Sequence, residues 1–138
     1  MTDDERQELL DTEHLRLLRI GYLISGGANA VWACFPLIHI TIGILMLSGV
    51  FPGPTRPGAP DTLMPGLFFV VIGVAFSSFF AISATLELLA ARRLRERRSR
   101  TFCLVVAGLT CLGIPYGTAL GIFTIIVLGR PSVAQRFH

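Results

Sequence analysis

The sequence predicts an all-α integral membrane protein, with three long spans behind an N-terminal helix, and three observations predict it. Of its 138 residues 52% are hydrophobic and 15% charged, with a mean hydropathy of +0.66, whereas a soluble domain carries roughly 25% charge. Residues 20–50, 66–91 and 101–129 form stretches of 31, 26 and 29 residues that together hold one formal charge, Glu87. At ~1.5 Å rise per helical residue, each is longer than the ~30 Å hydrocarbon core of a bilayer. The remaining charge gathers between these stretches, and six of the twelve basic residues fall within residues 92–100. Two regions follow: residues 1–19, a cytoplasmic or interfacial helix, and residues 20–138, the helical membrane domain.

The N-terminal helix is predicted to start at Thr2, which with Glu5 makes a capping box. Asp3, Asp4, Glu5, Glu8, Asp11 and Glu13 suit the positive end of its dipole. Leu9, Leu10, Leu15, Leu17 and Leu18 form only a rough apolar stripe, so lying on the membrane surface and extending the first span are both open. A basic leader and a small-residue cleavage site are missing, which argues against a signal peptide.

As one helix, residues 20–50 would be longer than a bilayer needs. The small and polar run from Ser25 to Asn29 and the lost donor at Pro36 predict a single bent span, kinked between Trp32 and Pro36. Residues 51–65 hold five of the eight prolines and read as an external loop. The second span, residues 66–91, returns inward, and its Gly73, Ala75, Ser77, Ser78, Ala81, Ser83, Ala84 and Thr85 suggest close helix contacts. The basic loop comes next: Arg92, Arg93, Arg95, Arg97, Arg98 and Arg100. Short loops rich in arginine stay on the cytoplasmic side, so this loop fixes the orientation, with the N-terminus cytoplasmic, and places guanidinium groups near anionic lipid headgroups.

The third stretch carries the most specific pattern. Gly113, Gly117 and Gly121 recur every four residues, a helix-packing face on which another backbone can come close, with Leu120 pointing elsewhere. Pro115 interrupts this row. A full span kinked near Pro115 is the preferred reading, since each half is too short to cross; a turn at residues 113–117, returning the C-terminus to the cytoplasm, is the alternative.

Chemistry has few candidates. His39 and Glu87 are the intramembrane polar residues, and an ionisable group at membrane depth is a functional candidate. A neutral His39 bonded to Thr41, Ser78 or a carbonyl, and a Glu87 paired with arginine, are the ordinary explanations. Cys34, Cys103 and Cys111 lack paired spacing and read as buried thiols. No catalytic set, metal-ligand cluster or cofactor motif stands out, so neither an enzyme nor a cofactor is expected. The basic excess sits at membrane boundaries and does not imply nucleic-acid binding.

The tail Pro115-Tyr116-Gly117-Thr118-Ala119-Leu120-Gly121, a Pro-x-Gly-Thr-x-Leu-Gly pattern, follows a basic loop and an apolar segment ending in Pro36-Leu37-Ile38-His39. In these features the chain resembles a group of small bacterial inner-membrane proteins of uncharacterised function. The resemblance covers roughly residues 20–137 and implies the bacterial inner membrane, with no activity attached. The expected function is assembly, as a homo-oligomer or as an accessory subunit of a membrane complex. The alternative is a small transporter or channel with a pathway past His39 and Glu87.

Overall fold

The computed structural model describes residues 2–50, 62–113, 115–135 and 137, and these are helical with short connections. The helices are α1 (Asp3–Cys34), α2 (Leu37–Leu47), α3 (Leu63–Glu96), α4 (Arg100–Thr110), α5 (Tyr116–Gly129) and the single turn α6 (Pro131–Ala134). The expected external loop falls mostly on residues 51–61, outside the described residues.

At the start of α1 the Thr2 amide donates to Glu5 Oε2 at 3.0 Å and the Glu5 amide to Thr2 Oγ1 at 3.4 Å, which closes the capping box. No break follows at Arg19. The helix continues through Gly26 and Gly27 to Cys34, so the N-terminal helix and the first part of the apolar stretch are one element. Phe35 and Pro36 then interrupt it: the Phe35 amide reaches back only three residues to the Trp32 carbonyl, and Pro36 stands at the head of α2. α3 begins at Leu63, with Pro65 in its first turn, where a missing amide hydrogen costs nothing. Two stretches, Glu5–Leu47 and Leu63–Glu96, are long and apolar enough to cross a membrane. Only 11% of the apolar window of each is buried within the chain, unlike the core helix of a soluble protein.

Two compact units divide the chain: Met1–Ala28 with Ser83–His138, and Asn29–Ile82. In the second unit α2 lies antiparallel on α3 along a seam of glycines. A methyl group on Gly43 would meet Val70 Cγ2 at 2.6 Å and the Gly66 carbonyl at 2.7 Å, and one on Gly73 would meet Ile40 Cγ1 at 2.6 Å and the Pro36 carbonyl at 3.0 Å. Ser77 donates to the Ala33 carbonyl at 2.8 Å, a neighbouring tie between helices. In the absence of a hydrophobic drive within lipid, such close backbone approach is what holds apolar helices together.

In the first unit Leu15, Leu18 and Tyr22 of α1, Ala90, Ala91 and Leu94 of α3, Cys103 and Val106 of α4 and Leu120, Val127 and Leu128 of α5 form one core. The expectation of a third full span is overturned here. After Thr110 the chain turns through residues 111–115 and comes back, so that α4 and α5 form an antiparallel hairpin. Thr118 Oγ1 donates to the Cys111 carbonyl across the turn at 2.8 Å, and Arg100 Nε donates to the Leu128 carbonyl at the open end, also at 2.8 Å. The cause is local: Pro115 cannot give an amide to a continuing helix, and Gly117, which has no side chain to collide with the Thr110 carbonyl, lets the returning helix come close. At 11 and 14 residues α4 and α5 are each too short to cross a bilayer alone.

Candidate functional site

The glycine row closes inside this hairpin. A methyl group on Gly117 would collide with the Thr110 carbonyl, and one on Gly121 with Cys111 Sγ and, at 2.5 Å, the Ala107 carbonyl. Gly113 sits in the turn, where its own amide bonds the Thr110 carbonyl at 2.9 Å. The partner of this face is therefore α4 of the same chain. Leu120 does not point elsewhere: it is 8% exposed and its Cδ1 would lie 2.7 Å from a methyl group on Gly21 of α1.

The arginine run is divided between tied and open groups. Arg93 lies over the Phe102 ring at 4.5 Å, a cation–π contact, and Arg100 caps the last turn of α5, where a cation suits the carbonyl end of the dipole. Arg92 Nε meets Glu96 Oε1 at 3.0 Å, but with 75% of the Arg92 side chain exposed this pair contributes little. Arg95 and Arg98 are exposed and Arg97 is half-buried. Arg97 and Ser99 have φ of 52° and 55°, left-handed values that turn the chain sharply between α3 and α4. Beside this turn Leu89, Arg92, Arg93, Glu96, Arg98 and Ser99 line a recess of about 260 Å³, in which three arginines face one carboxylate.

His39 and Glu87 belong to different units of the chain. Glu87 is 5% exposed and lies near Tyr22. His39 lines a recess in the second unit, with its Nδ1 sealed off and unbonded. Of the partners the sequence offers, Thr41 makes no bond to His39; its Oγ1 donates to the Leu37 carbonyl at 2.9 Å. Cys103 is buried, Cys111 half-buried and Cys34 exposed, all as free thiols. Among the described residues no group of three His, Cys, Asp or Glu side chains could hold a metal ion.

Two polar features escaped the sequence reading. Asp11 is fully buried and its Oδ1 receives Gln7 Nε2 at 3.2 Å and faces Arg130 Nη1 at 3.6 Å, while Oδ2 is enclosed without a partner. Tyr22, also fully buried, turns its hydroxyl toward Thr124 and Thr110 without closing a hydrogen bond to either. Both threonines donate instead to carbonyls of their own helices, Val106 and Leu120. The signal for Asp11 was present: Asp11, Leu15, Leu18, Tyr22 and Ser25 follow the spacing of one helical face. A carboxylate on that face was taken for part of the acidic first turns.

The fold and these sites define a small helical protein with two membrane-length helices and a packed helical hairpin. Comparison with known proteins finds no family model, no curated protein and no solved structure that matches the chain.

Proposed function

We propose that the chain is a non-enzymatic polytopic protein of the bacterial inner membrane that acts by assembly, as a homo-oligomer or as a subunit of a larger membrane complex. The observation that carries this reading is how the small residues of α3 are used. Gly73 and Ala84 are buried and Ser77 is tied to Ala33, whereas Ala75, Ser78 and Ala81 remain exposed on the outside of a membrane-length helix. Small and hydroxyl side chains are what helix interfaces in lipid are built from. The glycine row of α5 does not support assembly, since α4 already occupies it. Ala75→Leu combined with Ser78→Leu is expected to shift the protein to a smaller species in mild detergent with its thermal stability kept. An unchanged assembly size argues against this face.

The same reading places the N-terminus and residues 92–100 in the cytoplasm. Six arginines in the loop support the orientation, and the hairpin brings Arg130 to the same end of the first unit as Asp11 and Arg100. In a cysteine-free background, Ser99→Cys and Gln135→Cys should both resist an impermeant thiol reagent in intact cells. Labelling of Ser99→Cys overturns the orientation, and labelling of Gln135→Cys alone overturns the return of the C-terminus.

Anionic lipid headgroups are the proposed ligands of the open arginines, each contributing on the order of 1 kcal/mol near an anionic leaflet. Replacing Arg92, Arg95, Arg97 and Arg98 with glutamine spares the tied Arg93 and Arg100. Native mass spectrometry of this variant is expected to show less co-purified anionic lipid, and unchanged enrichment would leave the arginines a role in topology alone.

A further inference from the structure

The interruption at Pro36 opens a recess of about 330 Å³ in the second unit. Trp32, Phe35, Phe76 and Phe80 wall it, Gly73 leaves bare backbone beside it, and His39 supplies its polar edge. The rings are held in relation to one another: Trp32 lies 5.7 Å from Phe35 and 6.4 Å from Phe80, and the His39 ring is nearly parallel to Phe69 at 5.9 Å. This volume falls within the range of small-ligand sites, which combine apolar and aromatic walls with a few polar groups.

The imidazole defines the ligand. His39 Nδ1 is enclosed and has no hydrogen-bond partner. A proton there would be a buried donor with nowhere to go, which leaves Nε2 as the ring's usable donor. Nε2–H is then the donor left for whatever fills the recess, and in a bilayer an unmet donor is costly. Acyl chains have no acceptor to offer it and no π-face for the surrounding rings. A flat, membrane-soluble ring compound bearing a carbonyl satisfies both, with its face against Trp32 or Phe80 and its oxygen at His39.

We propose that this recess binds the ring of a quinone-class molecule, with His39 Nε2–H donating to a ring carbonyl. Trp32 is the only tryptophan in the chain, so its fluorescence reports on the recess directly. The full-length protein in phosphatidylcholine nanodiscs is titrated with decylubiquinone, with decylbenzene as competitor. The expected result is saturable quenching that decylbenzene does not reverse. His39→Leu should weaken it at least tenfold, His39→Gln, which keeps an N–H donor, should retain most of it, and Gly129→Ala should match wild type. If His39→Leu does not fold, Phe76→Leu is read against His39→Gln and should weaken binding severalfold. Quenching that rises without saturating, equal quenching in His39→Leu or in Phe76→Leu, or reversal by decylbenzene overturns the proposal, because the recess then takes any apolar molecule.

Discussion

Gly121→Leu is expected to lower stability by ~3 kcal/mol or more, the upper part of the range for overpacking a closed interior. Its first added carbon already lies 2.5 Å from the Ala107 carbonyl and against Cys111 Sγ. Neither can move without opening the hairpin, since Ala107 is fully buried and its carbonyl also accepts the Cys111 amide at 3.0 Å. The thermal midpoint in detergent should fall by roughly 10 °C, on the scale that links stability to melting temperature in small domains. Gly108→Leu, on the exposed side of α4 with nothing within 4 Å of its added carbon, should melt close to wild type. Equal midpoints for the two variants would mean that α4 and α5 do not close as described. Because the contact is within the chain, the loss should be the same at every protein concentration.

Removing Arg130 is expected to have the next largest effect. Arg130→Met leaves the fully buried Asp11 carboxylate with Gln7 and no cation. An uncompensated buried charge costs several kcal/mol, but Arg130 is 38% exposed and 3.6 Å away, so the pair is partly screened and the expected loss is on the order of 2 kcal/mol. Asp11→Asn combined with Arg130→Met removes both charges and should recover part of the loss. A double variant no more stable than Arg130→Met alone would show that Arg130 acts by packing and not by charge. Thermal melts of the wild type and the two variants in one detergent decide this.

What was legible in the sequence was what local chemistry determines. The capping box at Thr2 and Glu5, the interruption at Pro36 and the position of the basic turn each depend on a few adjacent residues. Partners were not legible. Leu17 and Leu18 are adjacent and identical in kind, yet one is 56% exposed and the other fully buried. A helix whose outward positions are apolar as well does not announce its buried face. The glycine row of α5 announced a close approach without saying to what, and its partner lay a few residues upstream across a turn. Gly43, Gly66 and Gly73 met only once the antiparallel register of α2 and α3 was known. Polar residues on α1, Asp11 and Tyr22 among them, are the better guide to its inner face, because they recur at the spacing of one helical face.

The pairing of Asp11 with Arg130 also bears on the order in which the protein can be completed during synthesis. The inner face of α1 is covered by α5, with Tyr116 reaching the Gly21 carbonyl and Phe123 set against His14. The ribosome makes α5 well after α1. Until then a nascent α1 carries a carboxylate lacking the cation that faces it in the finished unit, so every chain cut short before Arg130 exposes the same defect.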